Sequence, residues 1–139
     1  MRPHERLLCV LAAFGLFCVF LLARYGLTPD PRGVGTHQQL GFPPCLTMTL
    51  FGIPCPFCGM TTAFTYMAHG DPVAAFWCQP AGSVVFVAAA LAWLASIVFA
   101  IRGDWPPQLF SVRSARVLAI IGVLVVLAGW AYKIGASVR

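Results

Sequence analysis

Cys55-Pro56-Phe57-Cys58-Gly59 carries the most chemistry in this chain. Two cysteines separated by two residues can close a short disulfide, exchange electrons as a dithiol, or supply half of a metal site. Pro56 sets a backbone dihedral suited to a first helical turn. Cys58 and Gly59 then stand at the start of a helix expected over Met60–His69. The amide hydrogens and dipole at that end favour a thiolate at Cys58 or Cys55. Thr61 and Thr62 can donate hydrogen bonds to a sulfur or to a ligand bound there.

Cys45 precedes Cys55 by ten residues in the same turn-rich stretch and is the natural third member. Cys45, Cys55 and Cys58 are therefore expected to form one spatial cluster. Three constellations stay open. The thiols can form a static disulfide or pack as small hydrophobes. Cys55 and Cys58 can be a catalytic dithiol resolved by Cys45, which would need an electron acceptor such as a quinone or a partner protein. Or three thiolates can hold zinc or another thiophilic metal, with His69, His37 or Cys78 as the fourth ligand. Glutaredoxin-type sites resemble the Cys-Pro-x-Cys locally, but this chain has no βαβ pattern to hold that fold. His69-Gly70-Asp71 reads as a helix stop followed by a cap, with Pro72 fitting the first position of a new helix.

The elements that must position these residues read as membrane. The 139 residues make one domain, 60% hydrophobic and only 9% charged, against about 25% charged in a soluble domain. So few charges cannot cover a surface in water, and a lipid bilayer must solvate much of the chain. The net charge of +5 is scattered at the ends of apolar runs, which suits anionic headgroups and excludes a nucleic-acid face. Spans are expected at about 7–23, 81–101 and 117–134, with the cysteine segment over 45–78 between the first two. No small-x-small cleavage site precedes Arg24-Tyr25, so the first run is expected to stay as a helix rather than leave as a signal peptide. Tyr25–Pro44 reads as irregular loop, and Arg102–Ser114, with Asp104 and Pro106-Pro107, as a second one. Cys9 and Cys18 are expected to be inert within the first span. Ala88, Ala92 and Ala95 suggest a helix contact face. Trp93, in mid-run, is expected to pack against another helix, whereas Trp130, Tyr132 and Lys133 read as an interfacial close to the third span.

Three spans place Met1 and the Arg102–Arg116 loop on one side. Arg2, Arg6, Arg102, Arg113 and Arg116 fall there, against Arg24, Arg32, Lys133 and Arg139 on the other. Positive-inside counting makes the first side cytoplasmic and puts the cysteine segment outside, where thiols oxidise. The irregular backbone of Ile53–Gly59 must lie in water or be covered by protein.

Cys45, the run Gly52-Ile53-Pro54-Cys55-Pro56-Phe57-Cys58-Gly59-Met60-Thr61, Gly70-Asp71, Ala74-Ala75 and Pro80 together resemble a family of small bacterial membrane proteins. It is the domain-of-unknown-function family numbered 2752. The resemblance implies a G-x-P-C-P-x-C-G-x-T-R-A core, a Gly-Asp pair and an Asn-Pro before a transmembrane run. Thr62 stands where the family usually has Arg, and Gln79 where it usually has Asn. The sequence expectation is thus an all-α integral membrane protein. It has three transmembrane helices and a short re-entrant or interfacial helical segment that carries the CxxC. Its function is expected to be that of a non-enzymatic membrane component with a cysteine-rich structural or ligand-binding site, with the lipid bilayer and a membrane protein as its expected partners. Gly59, Thr61, Thr62 and Asp71 are expected to shape that site.

Overall fold

The computed structural model describes residues 3–103 and 111–137. It contains helices and no strand among the described residues. In chain order these are α1 (Pro3–Leu21), a π turn (Leu22–Gly26), a 3-10 turn (Thr36–Leu40), α2 (Leu46–Phe51), α3 (Met60–Ala68), α4 (Pro72–Cys78), α5 (Pro80–Arg102) and α6 (Val112–Ser137). Among the described residues, three stretches are long and apolar enough to cross a membrane: His4–Gly26, Pro80–Arg102 and Val112–Ala136. Each is longer than the apolar run that announced it. The π turn prolongs α1, Pro80 takes the first position of α5, and α6 begins early enough to include Arg113 and Arg116. Long basic side chains at a helix end can reach the headgroups without leaving the helix. The part of the expected second loop at 104–110, with Asp104 and Pro106-Pro107, lies outside the described residues.

Helices α1 and α5 run antiparallel. At one end the Arg6 Nε donates to the Ala100 carbonyl at 2.9 Å, one of the last carbonyls of α5. Towards the other end Phe17 stacks on Trp93, with ring centroids 6.2 Å apart. Phe20 meets Phe64 of α3 and, edge-on, Phe86 at 5.3 Å. Trp93 is thus the packing residue that its mid-run position suggested. Of the alanine face, Ala88 and Ala92 are exposed within the chain and Ala95 is half-buried. Close approach of α5 occurs instead at its N-terminal Ala81, Gly82 and Ser83, all buried.

Helix α6 meets the rest of the molecule mainly through its C-terminal third. A Cβ on Gly129 would sit 2.6 Å from the Ala81 Cβ, so only glycine lets the two helices come this close. The same end of α6 sends three side chains into the cysteine segment. Trp130 Nε1 donates to the Pro54 carbonyl at 2.8 Å, and the Tyr132 hydroxyl to the Trp77 carbonyl at 2.9 Å. Lys133 Nζ donates to the carbonyls of Gly33 at 3.1 Å and Cys78 at 3.0 Å. These residues were expected to sit in the headgroup layer. They are structural donors, because the segment between the first two spans folds back over the end of the third.

Residues 27–79 thus form a cap at one end of the helices. The Tyr25–Pro44 stretch is less irregular than expected, since Thr36–Leu40 closes a 3-10 turn. The Thr36 hydroxyl, wholly buried, donates to the Thr62 hydroxyl of α3 at 2.9 Å and accepts from the Asp30 amide at 3.1 Å. The cap keeps an apolar outer rim: Leu46, Phe51, Phe57, Val73 and Trp77 are each more than 60% exposed. Covering such side chains with lipid is favourable by about 1.5–3 kcal/mol each when complete. That rim suits a segment lying in the bilayer interface.

Candidate functional site

The site grows from the turn between α2 and α3. Helix α2 starts after Cys45, whose carbonyl accepts from the Thr49 amide and hydroxyl. Gly52 ends it, and the chain turns through Pro54, buried under Trp130. The Cys58 amide donates to the Cys55 carbonyl at 3.0 Å, and the Met60 amide to the Phe57 carbonyl at 3.1 Å. These bonds, with the one from Trp130 to Pro54, satisfy part of the irregular backbone within the protein, as a segment against a membrane requires. Gly59 then takes φ +85°, and a Cβ there would lie 2.6 Å from the Gly33 carbonyl oxygen. Both the left-handed backbone and the closeness of the loop demand glycine.

This path brings together the Sγ atoms of Cys45, Cys55 and Cys58, all within 4.8 Å of one another. Cys58 is buried; Cys45 and Cys55 are half-buried. Cys9 is buried in α1 and Cys18 is exposed on it, both outside the group. The Cys45 sulfur also lies 3.0 Å from the Thr47 hydroxyl. Burial pushes the Cys45 thiol up. The hydrogen bonds of the Thr47 hydroxyl, the Met48 amide and the Cys58 and Cys55 thiols outweigh it and bring the thiol down to about 6. Burial, then the thiols of Cys45 and Cys55, push Cys58 up to about 12. This reverses the expectation of a thiolate at the helix start. Gly59, not Cys58, occupies the cap of α3, so the first free amides of the helix lie beyond the sulfur's own residue. Cys58 becomes the proton donor of the cluster and Cys45 the acceptor.

The other expected site residues are dispersed. His69 caps the C-terminal end of α3, with Nε2 buried and without a partner among the described residues. Asp71 accepts from the Ala74 amide at 2.9 Å and caps α4. Thr62 is bonded to Thr36, and Thr61 lines an apolar groove between α1 and α3 with Val19 and Phe64. Neither threonine is bonded to a cysteine; Thr47 has that role. Gln79 is wholly buried between α4 and α5, and both its amide atoms lack partners among the described residues. Cys78 directs its thiol to the Gly33 carbonyl at 3.2 Å. Burial raises its pKa, and the nearby charge of Lys133 acts in the opposite sense.

A cavity of about 210 Å³ with mixed polar and apolar walls opens beside the cluster. Cys45 and Cys58 form one wall; Arg32, His37, Gln38 and Thr49 contribute to the others. Arg32 is held by Asp30, with Nη2 2.7 Å from Oδ2. The Arg32 hydrogen bonds hold the Asp30 carboxyl down at about 2. The sequence contained one signal for the part of α6 that locks this region: Trp130 and Lys133 are three residues apart and so share a helix face.

Residues 45–93 match the model of a family described as "Protein of unknown function (DUF2752)", the family that the cysteine motif resembles. The match takes in the whole cysteine segment and the first half of α5. No curated protein and no solved structure matches the chain.

Proposed function

We propose that this multi-pass membrane protein binds a thiophilic metal ion, of which zinc is the type, through Cys45, Cys55 and Cys58. The observation that carries the reading is the mutual proximity of the three sulfurs, within 4.8 Å. Tetrahedral zinc with Zn–S bonds of about 2.3 Å places its sulfurs about 3.8 Å apart, so small side-chain adjustments suffice. An odd number of thiols in contact cannot all be satisfied as disulfides, whereas one cation can bind all three. Three sulfurs this close cannot easily share three negative charges, and a divalent ion removes that penalty. On the arginine count the site faces the non-cytoplasmic side.

The test is the metal and thiol content of protein purified reduced and without oxygen. One metal per chain is expected, lost on Cys45→Ser, Cys55→Ser or Cys58→Ser and kept on Cys9→Ser or Cys18→Ser. A metal-free protein with all thiols titratable, and no uptake of zinc, overturns the reading.

A second reading, a thiol–disulfide oxidoreductase, draws on Cys45 with its thiol near 6. A thiolate in contact with a Cys55–Cys58 disulfide could exchange with it. Its test is transfer of electrons from reduced protein to a quinone or to a protein disulfide. A stable redox state without transfer removes it.

A further inference from the structure

Three thiolates leave one corner of a tetrahedral site to be filled. His69 cannot reach it, because it sits at the far end of α3, and nine helical residues separate the ends by roughly 13 Å. Cys78 turns its sulfur to the carbonyls of Gly33 and Gly59. Of the nitrogen and sulfur groups that line the 210 Å³ cavity with Cys45 and Cys58, His37 is the one of a type that zinc takes; the Met48 thioether and the Gln38 amide beside it are not.

The His37 ring has one hydrogen-bond partner, which sets its tautomer. Its Nε2 lies 3.1 Å from the Pro43 carbonyl oxygen. A carbonyl only accepts, so Nε2 carries the hydrogen. The neutral ring then keeps its lone pair on Nδ1, which makes no hydrogen bond among the described residues. Metal-ligating histidines commonly donate their other ring N–H to an outer carbonyl, which selects this tautomer. The 3-10 turn that carries His37 is itself tied to α3 through the Thr36–Thr62 hydrogen bond.

We propose that His37 Nδ1 is the fourth ligand, which makes the site a closed Cys3His centre. The inference rests on the three-thiolate reading and completes it. The ring lies outside the 4.8 Å group, so coordination turns the His37 side chain across the cavity towards Cys45 and Cys58. A divalent ion on three thiolates carries one net negative charge. A neutral imidazole adds none, so the centre keeps that single charge; the Arg32 guanidinium in the cavity wall is already paired with Asp30. A site of four protein ligands has no open position, which fits storage or structure better than catalysis.

The experiment is a cobalt(II) titration of the reduced full-length chain in detergent, followed in the visible region, with X-ray absorption on the zinc-loaded protein. Wild type should give a tetrahedral cobalt spectrum and a shell of three sulfurs and one nitrogen. His37→Ala should still take up cobalt, with a shifted spectrum and an affinity lower by at least the ~10–100-fold that follows loss of an outer-shell partner. Added imidazole should move both back towards wild type. His37→Gln keeps a donor for the Pro43 carbonyl and should behave as His37→Ala, which guards against simple misfolding. His69→Ala and Cys78→Ser should match wild type. Wild-type spectrum and affinity in both His37 variants, or no nitrogen in the zinc shell, overturn the His37 assignment and leave the thiolates standing. Absence of cobalt and zinc from wild type removes the three-thiolate reading and His37 with it.

Discussion

The indole Nε1 of Trp130 donates a 2.8 Å hydrogen bond to the carbonyl of Pro54, the residue before Cys55. The third long helix thereby holds the backbone that positions the cluster, across 76 residues of sequence. Trp130→Phe keeps most of the packing and removes only the donor. A buried carbonyl left without its partner costs about 1–3 kcal/mol. The variant should unfold earlier in detergent, and its Cys55 should react faster with a thiol reagent than in wild type. Trp93→Phe, which changes a ring in the α1–α5 stack, should leave the rate at Cys55 alone. Equal reactivity in the two variants would remove the linkage between α6 and the site.

Gly59 offers a sharper test of how the cap is built. Gly59 and Gly41 have nearly the same dihedral, φ +85° and +83°, but different surroundings. A Cβ at Gly41 meets nothing within 4 Å, whereas at Gly59 it meets the Gly33 oxygen at 2.6 Å. Gly41→Ala should therefore cost only the left-handed backbone penalty, about 1–2 kcal/mol. Gly59→Ala must also push the Gly33 loop away, and with it the carbonyl bonded to Lys133 and Cys78. It should fail to accumulate or melt well below Gly41→Ala in a detergent thermal scan. Equal losses would mean that the loop yields freely.

What could be read from the sequence followed from composition and from local chemistry. Apolar runs too long for a soluble helix announced the three spans. Gly70 and Asp71-Pro72 located the break between α3 and α4 to within a residue at each side, because a helix stop and a helix cap are local devices. The gathering of Cys45 with Cys55 and Cys58 was also visible, since all three share one short segment. What could not be read depends on residues far apart in the chain. Lys133 looks like any basic residue closing a span; only the folded cap gives it Gly33 and Cys78 to bind. Thr36 looks like a loop residue until Thr62 is beside it. The charge state of the cluster was misjudged at Cys58 because helix-dipole reasoning weighs one helix end, while burial, and after it the two neighbouring sulfurs, prevail there.

Orientation can be tested on whole cells. The basic residues favour a cytoplasmic N-terminus, five against four, and such a bias acts through residues close to the span ends. In intact cells, after mild reduction and chelation, a membrane-impermeant maleimide should label the cysteine segment. Half-exposed Cys45 and Cys55 are the targets; Cys9, buried in α1, should stay unlabelled. Labelling that appears only after the inner membrane is opened would invert the topology and place the metal site in the cytoplasm.

The division of labour within the cluster gives the last prediction. In reduced, metal-free protein the Cys45 thiol titrates at about 6 and that of Cys58 at about 12. Alkylation follows the thiolate, so the Cys45 rate should rise with pH up to about 6 and level off above it. An ordinary thiol would go on rising to about 8.5. Cys58 should stay slow through the whole accessible range. The Thr47 hydroxyl is the largest of the influences that lower Cys45. Thr47→Val should therefore move the midpoint of the Cys45 profile upward without changing its plateau. The same variant should bind zinc more weakly near pH 6, where a proton now competes for Cys45, and almost normally at pH 9, where it does not. Mass spectrometry of singly alkylated protein across the pH series separates the three sites. A Cys45 profile with an ordinary thiol midpoint, or one unmoved by Thr47→Val, would show that the hydroxyl does not set the charge of the cluster.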